Sequence, residues 1–196
     1  MSSGGGSVSK GKVIRERYEA TCRGYDELYR AEQYGKYSVA LRKVKPEGYV
    51  LDAGCGTALL AEYLWYTGAL DNIDLYVCVD YSNCMASVAK PRLELICPRP
   101  KCLIVMADVQ NLPFPSNTFH VVYSFTVLDL VDSLDNALKE LIRVSKGPVV
   151  VSMLKRLSGK DRLILMGAEI LGVTDKDVIF KISKSGGLNV FRQRRS

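Results

Sequence analysis

Val50-Leu51-Asp52-Ala53-Gly54-Cys55-Gly56-Thr57 decides the fold. An apolar run suited to a buried strand passes straight into a glycine turn. The turn opens onto a helical stretch over 57–66 that Gly68 stops. Gly54 and Gly56 lack the Cβ atoms that would keep a ligand away from the backbone, and Thr57 suits the helix N-cap. The start of that helix offers N–H groups to polar ligand atoms. Asp52 stands two residues before the first glycine. A dinucleotide loop must accept a pyrophosphate here, and a carboxylate repels one. The third glycine of the dinucleotide pattern is also missing, because Leu59 stands in its place. A nicotinamide oxidoreductase is therefore disfavoured. A carboxylate at this point suits a ligand whose near end is cationic, such as an ammonium group.

Working outward, a strand–helix rhythm continues. Strands are expected at 49–53, 75–79, 102–106, 119–125 and 148–154, and helices at 82–90, closed by Pro91, and at 134–144. Alternation of this kind implies right-handed crossovers and a mainly parallel sheet covered on both faces. Upstream, 13–45 reads as helical with breaks at Gly24 and Gly35, and Pro46 and Gly48 end it. Downstream, 162–171 reads as a helix stopped by Gly172. Strands at 177–183 and 188–194 around the turn 184–187 make an antiparallel hairpin.

Each strand end brings a further candidate. Asp80 ends the second strand, where an acid can accept hydrogen bonds from two ribose hydroxyls, and Tyr81 beside it can cover an adenine face. Asp108 follows the third strand and can accept from an exocyclic amine. Ser124 stands where the fourth strand meets the same edge.

The segments D-A-G-C-G-T, V-D-Y-S, A-D-V-Q-N-L-P-F-P-S-N-T-F and the later L-x-E-L-x-R-V together resemble class I S-adenosylmethionine-dependent methyltransferases. They are most similar to the broad subgroup that includes the ubiquinone/menaquinone C-methyltransferases. The resemblance covers roughly 18–154. It implies a three-layer, Rossmann-like α/β fold whose mostly parallel seven-stranded sheet ends in an antiparallel C-terminal hairpin. It also implies S-adenosyl-L-methionine as cofactor. Asp52, Gly54, Cys55 and Gly56 would flank its methionine part, Asp80 and Tyr81 the ribose and adenine, and Asp108 and Val109 the adenine. Ser124 would lie at the pocket, with Tyr25 and Tyr29 folding over from the N-terminal helices. The chain then divides into a flexible tail, 1–12, and one methyltransferase domain, 13–196. Within the domain lie a helical lid (13–46), the cofactor-binding core (47–154) and a C-terminal helix and hairpin (155–196).

Three positions depart from the family pattern: Ala58 replaces a frequent glycine, His120 a frequent aspartate, and Asp129 a frequent histidine. Asp129 is thus the candidate base, needed only if the nucleophile carries a proton. His120, the sole histidine, sits at a strand start, away from the carboxyl ends, and reads as structural. The alternative class is a non-catalytic methyltransferase-like binding or scaffold module. The retained Asp52, Gly54, Gly56, Asp80 and Asp108 argue against it.

The 196 residues, 47% apolar and 24% charged, suffice for one well-packed domain. No run approaches the about 18 apolar residues of a membrane span, and the first residues lack a secretory apolar segment, so a cytoplasmic location is expected. Six cysteines without C-x-x-C spacing, and one histidine, exclude an obvious zinc site; no metal is expected. Free buried thiols are the ordinary reading. Scarce Asn and Gln hint at a thermophile, in which a Cys97–Cys102 disulfide becomes conceivable. The net charge of +6 divides unevenly: +5 over 1–46, −5 over 47–154 and +6 over 155–196. The basic ends, with Lys10, Lys12, Arg15 and Arg17 and with Arg192, Arg194 and Arg195, suit RNA as a partner. The methyl acceptor, a small molecule or RNA or protein, and the oligomeric state are not written in the sequence.

Overall fold

The computed structural model describes residues 16, 19–97, 101–157 and 159–184. A 3-10 turn, Cys22–Gly24, leads into α1 (Tyr25–Leu41). Then come β1 (Gly48–Ala53), α2 (Leu59–Tyr66), β2 (Ile73–Asp80), α3 (Asn83–Ile96), β3 (Cys102–Met106) and β4 (Val121–Ser124). After them follow α4 (Leu134–Val144), β5 (Val149–Leu154), α5 (Gly159–Leu165), β6 (Glu169–Val173) and β7 (Asp177–Ile182). The seven strands form one sheet in the order β3-β2-β1-β4-β5-β7-β6. All neighbours from β3 to β5 are parallel. The pairs β5–β7 and β6–β7 are antiparallel.

Alternation along the central strands divides the core between the two faces. Val50, Tyr76, Cys78 and Tyr123 point to the layer holding α1, α2 and α3, where they meet Tyr37, Ala40, Leu60, Leu64 and Leu93. Leu51, Val77, Val122 and Val151 point the other way, onto Leu138 and Leu141 of α4 and Leu163 of α5. Central strands buried on both faces explain why their sequences read as unbroken apolar runs. Ser82 and Ser133 cap α3 and α4, their hydroxyls accepting from the Met85 and Asn136 N–H groups. Among the described residues no helix is long and apolar enough to cross a membrane.

Several local expectations fail for physical reasons. Gly35 does not break α1; it lies on an open face where an added Cβ would meet nothing within 4 Å. Pro91 does not close α3. It removes one N–H from the helix ladder, but Ala89, Leu93 and Ile96 are buried on either side of it and carry the helix on to Ile96. At the C-terminal end, the helix stops at Gly167, not Gly172. Gly167 takes φ +72° and its N–H bonds to Ile164 O, while the Ala168 N–H bonds to Leu163 O. Ile170 and its neighbours are then free to form β6. The hairpin is therefore β6–β7, and the expected strand at 188–194 lies outside the described residues, as do the tail 1–12 and the basic residues named at both ends.

The cysteines depart most from expectation. All six are paired: Cys22–Cys84, Cys55–Cys78 and Cys97–Cys102. Burial of thiols was legible, but only the third pair, five residues apart, was visible in the spacing. The other two depend on strand adjacency and on where the chain before α1 lies.

Candidate functional site

In a parallel sheet the crevice lies at the carboxyl ends of the strands, where the strand order reverses. That switch point falls between β1 and β4 here, since β1 is followed in sequence by strands on one side and joined to β4 on the other. Residues 52–56, 80–82, 107–110 and 124–127 share this edge.

Asp52, at the end of β1, is buried, and its Oδ2 accepts the Tyr76 hydroxyl at 2.5 Å. Burial raises its pKa to about 7; Asp80 adds to the rise, and the Tyr76 hydrogen bond opposes it. No Lys or Arg among the described residues pairs with it. A carboxylate so placed is stabilised by an incoming cation. The glycine loop behind it is fully committed to the protein. Gly54 and Cys55 donate their N–H groups to Val79 O at 2.7 and 2.9 Å, and Gly56 N–H donates to Asp80 Oδ2 at 2.8 Å. None of the three N–H groups remains for a phosphate, which strengthens the exclusion of a dinucleotide. The Cys55–Cys78 disulfide fixes the same loop covalently to β2.

Gly54 is required for a reason other than ligand clearance. It has φ +79°, and a Cβ there would lie 2.1 Å from Val127 Cγ2. The loop after β4 packs directly on it. Gly56 answers the expectation better, since a Cβ there would enter open space with only Met85 Sδ at 4.0 Å. Ala58 occupies the left-handed region too, at φ 62°. That accounts physically for the glycine usual at this place. Thr57 does not cap α2, whose N-cap is Ala58. Its hydroxyl donates instead to Asp26 Oδ1 of α1 at 2.6 Å.

Asp80 accepts N–H groups from Gly56 and Ser82, one on each oxygen, at 2.8 Å. The Tyr81 N–H also bonds to this carboxylate, which leaves acceptor capacity on its two oxygens for ligand hydroxyls. Burial raises its pKa, against those backbone hydrogen bonds. Tyr81 is 48% exposed at the edge of this crevice. Asp108 caps its own turn by accepting from Gln110 N at 2.8 Å, with the Gln110 amide against the same carboxylate; Val109 beside it is buried. Ser124 is buried and its hydroxyl donates to Ala53 O at 2.9 Å, so it joins β4 to β1 rather than facing a ligand. Asp129 is buried and accepts the Leu154 N–H at 2.8 Å, which fixes the loop after β4 to the end of β5. His120 lies at the opposite edge; its Nδ1 accepts from Tyr49 N at 2.9 Å.

The first half of α1 meets this edge, with Asp26 on Thr57 and Gln33 and Lys36 on Thr126. Tyr25 and Tyr29 form a tilted ring pair at 4.8 Å. Several partners of this helix were not read from the sequence, because they meet only across long separations. Asp26 and Glu62 are held by Arg30 and Arg92, and Arg92 also donates to Thr57 O. Tyr34 donates to Glu62. Gln33 and Lys36, both buried, reach Thr126. Helical spacing marks 26, 30, 33 and 36–37 as one side of a helix, but only the fold shows what that side covers.

This edge, with a glycine turn, an acid at each of the first three strand ends and a reversed last strand, defines a cofactor-binding α/β domain of the methyltransferase kind. The family described as methyltransferase domain matches residues 51–150. The chain belongs to that family, and its fold is that of the class I S-adenosylmethionine-dependent methyltransferases. A demethylmenaquinone methyltransferase of Symbiobacterium thermophilum is 26% identical over 143 residues, 70% of this chain and 56% of that protein. The chain thus spans just over half the length of that relative. Among solved structures, the magnesium protoporphyrin IX methyltransferase of Synechocystis with bound SAM superposes with TM-score 0.68 at 13% identity. It covers 89% of this chain and 97% of that one. The [4+2]-cyclase SpnF is similar as well, with TM-score 0.54 and 26% identity over 63% of this chain and 46% of that one.

Proposed function

We propose that the protein binds S-adenosyl-L-methionine at the carboxyl ends of β1 to β3 and transfers its methyl group to an acceptor. The observation that carries this reading is Asp52: a buried carboxylate with no cationic partner among the described residues, raised to about pKa 7, beside a glycine loop whose N–H groups are already spent. Such a site suits the ammonium end of an amino acid and not a pyrophosphate. Asp80 is suited to the ribose hydroxyls, Asp108 and Val109 to the adenine, and Tyr25, Tyr29 and Tyr81 to covering the cofactor.

When bound, the cofactor supplies a methyl group already activated by its sulfonium. The protein's share is then to hold that group in line with a nucleophile and to exclude water, which α1 is placed to do from above. A base is needed only for a nucleophile that carries a proton. Asp129, proposed from the sequence, serves only if it yields part of its bond to Leu154; Asp129→Asn separates a catalytic from a structural role through its pH–rate profile. SpnF, a cyclase on a similar fold, is the reason to test chemistry and not fold alone.

The test is calorimetry with S-adenosylhomocysteine and NAD, followed by tritiated-methyl transfer to small-molecule, RNA and protein fractions of an extract. S-adenosylhomocysteine should bind and NAD should not; the reverse overturns the reading. Protonated Asp52 cannot pair with an ammonium. Affinity should therefore fall about tenfold per pH unit below pH 7 and level off above it, and Asp52→Asn should flatten the curve. Without ligand the sign is opposite: the raised pKa means Asp52 contributes less to stability as pH rises from about 4 to about 7. RNA binding through the basic ends should weaken steeply with salt and with Arg192, Arg194 and Arg195 changed to Ala. Salt-independent or absent binding leaves a small acceptor. We place the protein in the cytoplasm, where its three disulfides would belong to the thermophile pattern.

A further inference from the structure

Gln33 is 3% exposed, and its Oε1 has no hydrogen-bond partner among the described residues. Buried amides are normally satisfied on both atoms, so an unmatched one in a native fold calls for a partner that the described residues do not supply. The other amide atom, Nε2, lies 3.2 Å from both the Tyr25 hydroxyl and Thr126 Oγ1.

The frame around Gln33 is rigid. Thr126 holds φ 62°, an unusual conformation for a β-branched residue, one that persists only where the surroundings impose it. Its N–H donates to Ser152 Oγ at 2.9 Å, and its Oγ1 receives Lys36 Nζ at 2.7 Å as well as Gln33. Lys36 is in turn spent on Glu32 and Asp177, at 2.9 and 3.0 Å. Asp177 is also buried without a hydrogen-bond donor on either oxygen, but Lys36 meets its charge at 3.0 Å, so the charges of this group are matched and Gln33 Oε1 is its neutral acceptor left unfilled. The position follows from the next residue, since Val127 is the side chain packed into the Cβ space of Gly54. Gln33 therefore lies over the β1–β4 switch point, next to the loop that follows Asp52.

We propose that Gln33 is a cofactor-binding residue whose amide oxygen accepts a hydrogen bond from the α-ammonium of the cofactor's amino-acid end, which it shares with Asp52. This rests on the S-adenosylmethionine reading above. An acceptor atom calls for a donor, and Asp52 on the same edge, bonded to Tyr76 but without a cation among the described residues, calls for that donor to be cationic. Asp52 supplies charge from below and Gln33 supplies direction from the lid, so the ammonium fixes α1 when it arrives.

Two ligands separate this role from helix packing: S-adenosylhomocysteine and its analogue lacking the α-amino group. Their affinities are measured by calorimetry for the full chain and for Gln33→Met and Gln33→Glu, with thermal melts as a check on folding. The wild type should prefer the amino form, and in Gln33→Met that preference should shrink about 10- to 100-fold. Gln33→Glu retains an acceptor and should keep the preference within about threefold. An unchanged preference in Gln33→Met overturns the proposal, as does an equal loss for both ligands, which would mean that Gln33 only holds α1 in place. A Gln33→Glu protein that binds the amino form worse than Gln33→Met also overturns it, because the amide would then be turned to donate to the ligand's carboxylate. A wild type that binds neither ligand brings down the cofactor reading itself and this inference with it.

Discussion

The two walls of the crevice are held together by different forces. The lower wall, residues 52–56 and 80–82, is built from backbone hydrogen bonds between adjacent strand ends, a disulfide and two glycines. The upper wall, α1, is held by side chains: Asp26 with Thr57, Arg30 and Arg92, and Glu62 with Arg30, Arg92 and Tyr34. Gln33 and Lys36 add contacts to Thr126. Backbone geometry tolerates little adjustment, whereas a polar side-chain clamp can open and close at modest cost. The polar pairs hold the first half of α1, while Tyr37 and Ala40 fix its second half in the core and Cys22–Cys84 ties the chain before it to α3, so any release of this roof is confined to the part nearest the crevice.

The largest expected effect lies in the floor. Gly54→Val sets a β-branched side chain at φ +79° and drives it into Val127. Left-handed strain and overpacking together should cost about 3–5 kcal/mol. Calorimetry should detect no S-adenosylhomocysteine binding, and the melt should fall accordingly. Normal binding would show that the turn is not the cofactor loop. Next is Asp80→Ala. It removes two ligand hydrogen bonds, about 2–4 kcal/mol and so roughly 30- to 1000-fold in affinity, and leaves the Gly56 and Ser82 N–H groups unmatched. Unchanged affinity would remove the ribose assignment.

The roof should respond less, and differently. Arg92→Met leaves Asp26 and Glu62 with Arg30 as their remaining cation in this cluster. The expected loss is about 1–3 kcal/mol, part of it screened because the side chains are partly exposed. Affinity should drop about 3- to 10-fold, with dissociation faster and the stability gap to wild type smaller at high salt. A loss as large as that of Asp80→Ala, or one indifferent to salt, would break the distinction between the two walls.

This division also explains what the sequence made legible. The lower wall was readable because its parts are contiguous: strand, acid, glycine turn, helix start, each within a few residues of the next. The acids at 52, 80 and 108 announce themselves as ends of apolar runs. The upper wall is made of pairs such as Thr57–Asp26 and Lys36–Asp177, separated by 31 and 141 positions. Nothing local marks their partners, and the sequence reads Thr57 as a cap because capping is the local use of a threonine at that point. The last hairpin falls on β6 and β7 rather than on 177–183 and 188–194 for a similar reason. Apolar residues at 163–171 fit a helix as well as a strand, and Gly167 decides between them only through its left-handed conformation.

The smallest effect expected concerns Ala58, where the floor itself departs from its family. At φ 62° an alanine carries roughly 1–2 kcal/mol of left-handed strain. Replacement by glycine relieves that strain, yet two terms oppose the gain. The methyl group is completely buried, and its loss costs about 0.8 kcal/mol. Glycine also raises the entropy of the unfolded chain, by about 0.4–1 kcal/mol in stability. The terms nearly cancel, so Ala58→Gly should shift the midpoint of thermal unfolding by no more than about 2 °C in either direction. Affinity for S-adenosylhomocysteine should stay within about twofold, because the residue follows the loop and bonds it only through its backbone, Ala58 N to Cys55 O. A loss of several degrees would mean that the buried methyl dominates, and that alanine was adopted here to fill the space beneath α2. A gain of similar size would mean that strain dominates, so that the floor is less rigid in its own interest than its disulfide and hydrogen bonds imply.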